Sequence, residues 1–411
     1  MNKYKIYLSL AIMLIMTACS TTSVSTGASY RSQSSSPVVI ENADPLDVSI
    51  AVFNPGIPVE TDGEYGSKGI YPELRRAEAM YMAVKLRDQL SDSKSFGAVR
   101  VTPDLSSNSD LYIKAKILKS NGEDVEMKVT VLDSTGKTWI REKKYKHRVT
   151  SYVFDNPRNK DEDGNLKIDP YQPIYKKIND DISSYLRKRM NASKVEAIHT
   201  TAQIRFARDF SPGAFSDILI EKRGKYTLKG RPASDDPMMK RVQNIKYRDE
   251  MFIDTMQSHY DSFYSEMKPN YSTWQKEGYV ESKAAREAAA RATGQMFGAI
   301  LMGALTVAAA SECDSQSCIR NVGAVGAAAT GTLAAKSAKS RKESKIHLNQ
   351  LNEMGKSLDA ALSPSVIEME DTTITLTGSA NEQFSQWKEI LTKIYNTETS
   401  VSKEIEVVED I

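Results

Sequence analysis

Histidine, cysteine and net charge are all scarce in this chain of 411 residues. Its four histidines, His147, His199, His259 and His347, are widely separated and form no HExxH, which excludes the helical zinc site of that pattern. There is no GxSxG elbow, no phosphate-binding P-loop and no dinucleotide fingerprint. Nucleophilic catalysis needs a base beside Ser or Cys, and no spacing here supplies one. The nearest approach to a polar site is Tyr65 with Arg75, beside a loop containing Gly63, Gly66 and Gly69. We therefore expect no catalytic residues, no metal and no cofactor. Fifty-five basic residues face 53 acidic ones, a net charge of +2, so the basic footprint of a nucleic-acid binder is missing. Long apolar runs are missing too. The longest have about 15 residues, short of the roughly 20 that a spanning helix needs.

What is present begins at the N-terminus. Lys3 and Lys5 precede the uncharged run Tyr7 to Met16, followed by Met16-Thr17-Ala18-Cys19. A basic start, a short apolar core and small residues before a cut site are the layout of an export signal. With cysteine at the cut, the segment resembles a bacterial lipoprotein signal peptide with its lipobox, although Met16 stands where leucine is commoner. The resemblance implies cleavage between Ala18 and Cys19, a diacylglycerol on the Cys19 thiol and acylation of the new amine. Two or more fatty chains hold a protein firmly at a membrane, at roughly 0.8 kcal/mol per buried methylene. Ser20 is not the aspartate that favours inner-membrane retention in this class. The expected place is the outer membrane of a Gram-negative bacterium, facing the periplasm.

The expected fold class is α+β. Residues 1–18 are the signal and 19–37 a Ser/Thr tether that cannot bury enough to order itself. Residues 38–150 read as a small α/β open-sheet domain. Val48 to Phe53 is β-rich, and Leu74, Ala77, Tyr81 and Val84 recur at helical spacing. Gly97 to Val101 is a short strand, and 111–117, 125–131 and 138–145 alternate or read as strands ending in hairpins. This order, with the Val52-Phe53-Asn54-Pro55 opening, resembles a small α/β domain of envelope lipoproteins. Relatives include the curli-secretion lipoprotein, transport auxiliaries and the N-terminal domain of the Tol-system propeller protein. It departs from the curli channel in lacking that protein's long pore-forming hairpins.

Residues 155–170 read as a solvated polar loop. Asp161, Asp163 and Asn165 have the first spacings of a calcium loop, but its glycine and final glutamate are misplaced. Residues 171–292 read as helical, with Tyr171, Ile174, Tyr175, Ile178, Ile182 and Leu186 on one face, and shorter helical patterns through Val195 and through Phe215, Ile218 and Leu219. Residues 293–345 read as a Gly/Ala-rich helical hairpin, its uncharged arms being 296–310 and 322–335. Gly294 with Gly298, and Gly323 with Gly331, put small residues where helix backbones can meet. Between the arms, Cys313 and Cys318 are an even pair in an oxidising compartment and are expected to form a disulfide. Such a hairpin could enter or lie on a membrane, be buried in the protein or its oligomer, or stay mobile. Residues 346–400 read as a small α+β module, with 404–411 frayed.

These readings favour a non-catalytic, lipid-anchored envelope lipoprotein. Its expected partners are the membrane, through the anchor, and other envelope proteins, with no nucleic acid. The alternatives are a homo-oligomeric, membrane-inserting or pore-forming element built on the hairpin, and thirdly an envelope hydrolase.

Overall fold

The computed structural model describes residues 36–58, 70–162, 164–233, 236–310, 365–369 and 372–409. The fold is α+β, with an α/β open sheet first and helices in the middle of the chain. Strand β1 (Val48–Ala51) leads to helix α1 (Pro72–Asp92) and then to β2 (Val99–Thr102), which lies parallel to β1. A parallel pair needs such a crossover. Strand β3 (Leu111–Ser120) joins the other side of β1, also parallel, and β4 (Asp124–Asp133) and β5 (Thr138–Arg148) follow as antiparallel hairpins. The sheet order is β2-β1-β3-β4-β5. Leu111, Ile113, Ala115 and Ile117 of β3 are buried, as are Val125, Met127, Val129 and Val131 of β4, so period-two alternation separates a core face from an outer face.

Helix α1 is buried all round at its middle. Every residue from Ala77 to Val84 is buried. The sheet lies on one side, and α3 (Gln172–Arg189) and α6 (Pro237–Ala310) lie on the other. A helix hydrophobic all round belongs in a core, and the uninterrupted Ala79-Met80-Tyr81-Met82-Ala83-Val84 is the sequence trace of that position. Between β5 and α3 come a one-turn helix, α2 (Tyr152–Asp155), and a 3₁₀ turn, Pro157–Asn159.

After α3, helix α4 (Ala192–Phe210) begins at Asn191, whose side chain accepts from Lys194 N as an N-cap. The expected helical pattern through Ile218 and Leu219 is corrected. Only Pro212–Phe215 (α5) is helical there, and Leu219–Lys222 (β6) pairs with Lys225–Leu228 (β7). The cause is local: Arg223 and Gly224 both take positive φ, +54° and +69°, as a tight two-residue hairpin turn requires.

From Pro237 onward, the region expected to be helical is one continuous helix. Helix α6 runs 74 residues with Pro269 inside it, a length of about 110 Å at about 1.5 Å per residue. It is locked to the β3–β4 turn by close backbone approach. A Cβ on Gly122 (φ +84°) would lie 2.3 Å from Tyr279 N and 2.5 Å from Gly278 C, so neither backbone could come so near with a side chain between them. The arm 296–310 forms the last turns of α6, and the second arm lies outside the described residues. No helix among the described residues is long and apolar enough to cross a membrane. The tail forms a hairpin, β8 (Ser365–Met369) with β9 (Thr372–Leu376), and then helix α7 (Ala380–Glu409), which extends through the stretch expected to fray.

Candidate functional site: a buried carboxylate and tyrosine hub

The polar groups that α1 carries inward meet those of its neighbours in one cluster. Glu78 is fully buried, and its Oε1 accepts from Ser120 Oγ and, at 2.8 Å, from Tyr271 OH. Arg75, also buried, stands 3.6 Å from Glu78 Oε2 and donates to the Ser120 carbonyl. The Tyr171 hydroxyl lies 3.2 Å from Ser120 Oγ and accepts from Gly122 N at 2.9 Å. One residue pair upstream, Asp169 Oδ1 accepts from Tyr171 N at 2.8 Å and from Gln275 Nε2. The hub thus ties α1, the end of β3, the entry to α3 and the middle of α6.

Burial raises the Glu78 carboxyl above its usual range, against the pull of Arg75 and the two hydroxyls. It raises Asp169 likewise, opposed mainly by Lys85. Tyr175 and Tyr271 are driven well above the ordinary phenol value, first by burial and then by these two carboxylates. Rings close the cluster: Tyr81 lies 4.6 Å from Tyr271 and 4.8 Å from Tyr264, and Tyr271 stacks on Trp274. Glu78 has no solvent-accessible surface, so the hub can hold protons and position helices but presents no acid to a dissolved substrate.

Two further joints bind the body. His199 Nδ1 lies 3.0 Å from Asp110 Oδ2, and its Nε2 is 3.2 Å from the Asp44 carbonyl. Its hydrogen bond with Asp110 pushes the imidazole up to about 9, against burial. The cation then donates from both nitrogens and pins the segment that leads into β1. Beside it an open apolar hollow of about 120 Å³ is lined by Val38, Leu46, Lys94, Leu186 and Val195. The second joint seats α7 on α6, with Trp387 5.0 Å from Phe252 and Lys388 Nζ donating to the Ser106 carbonyl at 2.9 Å. There burial pushes Asp249 up to about 6, opposed by the charge of Lys388.

Of the residues singled out from sequence, Arg75 enters the hub. It is buried, not part of an exposed helix surface. Asp169 is corrected from solvated loop to buried anchor. Asp161 Oδ1 caps its own turn by accepting from Asn165 N at 2.8 Å. Among the described residues no three His, Cys, Asp or Glu side chains gather as a metal site would require. Gly294 and Gly298 lie on α6. Tyr65, Asp163, Ala18, Cys19, Cys313, Cys318, Gly323 and Gly331 lie outside the described residues. Sequence reasoning missed Glu78, Ser120, Tyr271 and Gln275. The one signal was a charged Arg75/Glu78 pair, three apart, running into an unbroken apolar stretch. Comparison with known protein families, curated proteins and solved structures finds no match.

Proposed function

We propose that this chain is a lipid-anchored lipoprotein of the bacterial outer membrane, facing the periplasm and acting by contact with other envelope proteins. One observation carries the reading: the basic start at Lys3 and Lys5, the short apolar run, and Cys19 directly after Ala18. The body is consistent with contact as its mode of action, because two of its buried acids, Glu78 and Asp169, serve as joints between helices. Cross-linking in intact cells followed by purification tests it. The expected result is a reproducible set of envelope proteins from the membrane fraction, with fatty-acid label on wild type and none on Cys19→Ala. A wild-type chain that takes up no label and captures no envelope protein contradicts the proposal.

A second reading rests on α6, which delivers the uncharged 296–310 stretch at its end. There the Gly/Ala-rich region oligomerises in a membrane. Wild-type protein that neither binds liposomes nor makes them leak removes it.

A further inference from the structure

The outer face of the sheet carries a charge pattern that folding alone does not explain. Lys116 of β3 pairs in register with Lys128 of β4, and Lys128 pairs with Lys144 of β5. Pairing partners share a face, and neighbouring strands lie about 4.8 Å apart, so three lysines form one row across the sheet. Like charges directly opposite one another on a sheet are destabilising. Lys114 lies two residues from Lys116 on the same face, and Lys146 lies two from Lys144.

Acidic residues offset the array only in part. Glu126 lies 2.9 Å from Lys146 Nζ and 3.9 Å from Lys144 Nζ, and Glu142 lies 3.6 Å from Lys128 Nζ. Lys114 and Lys116 are exposed and have no ion pair among the described residues. Lysines on an edge strand can serve merely to block unwanted strand pairing. That accounts for Lys144 and Lys146 on β5, but β3 and β4 are interior strands, and their lysines protect no edge. The other half of this face is closed by α4, where Arg205 lies over the Tyr112 ring and Ser134 Oγ donates to the Ile198 carbonyl. Among the described residues, the lysine half is the half left open.

We propose that this open half, centred on Lys116, Lys128 and Lys144, is a docking surface for an anionic phospholipid surface. Charge complementarity selects the occupant. The positions in register around the row are Lys114, Thr130, Lys119, Glu126 and Lys146, with no aromatic anchor of the kind that dominates protein–protein hot spots. Lysine is a compact, hydrated point charge on a flexible stem, suited to a layer of headgroup phosphates. The inference rests on the lipoprotein reading only in that an anchor would hold the body near such a surface.

The test uses the full chain carrying Cys19→Ser, so that no fatty chain contributes, with flotation on two kinds of vesicle. One kind is phosphatidylcholine alone and the other is phosphatidylcholine mixed with phosphatidylglycerol. The chain is expected to prefer the mixed vesicles at low salt and to lose that preference at high salt. The variant K116Q/K128Q/K144Q keeps the aliphatic stems in part and should lower partitioning onto mixed vesicles by on the order of 100-fold, from about fivefold per lysine. Its thermal unfolding, unchanged or raised, shows that the fold is retained. A variant that keeps the full preference overturns the proposal. So does capture by soluble polyglutamate without any vesicle preference, which would assign the face to an acidic protein. Failure to find fatty acid on wild-type Cys19 would sink the lipoprotein reading and leave this result standing.

Discussion

The two faces of the sheet treat charge in opposite ways. On the core side, Glu78, Asp169 and Arg75 are buried, and one oxygen of each carboxylate is held by hydrogen bonds from Ser120, Tyr271, Gln275 or the Tyr171 backbone, while Arg75 faces the second Glu78 oxygen. On the outer side, Lys114, Lys116, Lys128, Lys144 and Lys146 stand side by side with two glutamates between them. Desolvated charge on the first face is offset by hydrogen bonds that hold helices in place. Crowded charge on the second gives the fold nothing in return, and that is where an external partner is to be sought. Mutation of the first face should therefore damage stability, and mutation of the second should damage binding alone.

The largest effect should come from splitting the buried pair. Glu78→Gln or Arg75→Met alone is expected to cost about 3 to 5 kcal/mol, because each leaves a buried partner uncompensated. The double variant should lose much less than the sum, since the two residues share one network. Urea unfolding of the four proteins measures this, and strict additivity would mean that the pair is not coupled.

Next in size is the contact between the turn and the long helix. Gly122→Ala combines a positive φ with a Cβ driven into Tyr279 N. It should cost more than about 1 kcal/mol, and amide exchange at 275–282 should rise with it.

The pH profile of stability should carry two histidine limbs of opposite sign. His199 is held up to about 9 by Asp110. Its contribution is complete below an unfolded value of about 6.5 and is lost as pH rises through about 9, on the order of 1 to 2 kcal/mol after allowance for solvent. His147 is pushed down to about 4, chiefly by burial. Its contribution is complete above about 6.5 and is lost as pH falls through about 4. His199→Gln should flatten the alkaline limb and leave the acid limb in place. An alkaline limb that survives this change would place the cause elsewhere.

The smallest change is expected on the outer face. Lys128→Gln should leave stability unchanged or raise it by up to about 1 kcal/mol, by relieving repulsion along its row. A clear loss, read by thermal melting, would mean that the lysine array is structural and would erase the contrast between the two faces.

Much of this contrast could be read from the chain, but unevenly. Strands β3 and β4 were visible because alternating Leu111, Ile113, Ala115 and Ile117, and Val125 to Val131, report a half-buried sheet directly. The burial of Arg75 and Asp169 was not visible, because the residues that cover them, Tyr271 and Gln275, lie about 100 to 200 positions further along the chain. The lysine row was hidden for two reasons. The overall charge is almost zero, and the row exists only once the strand register places Lys116, Lys128 and Lys144 side by side. The β6–β7 hairpin left a local trace at Arg223-Gly224, although Ile218 and Leu219 also fit a helical period.

Under the proposed function, Cys19 carries the lipid by which the body is held at a membrane. Intact mass spectrometry of the mature protein from its native membrane tests it most directly. The expected product is a chain that starts at Cys19 and bears a diacylglyceryl thioether and an acylated amine. A mature chain with an unmodified Cys19, or one beginning at another residue, would contradict it.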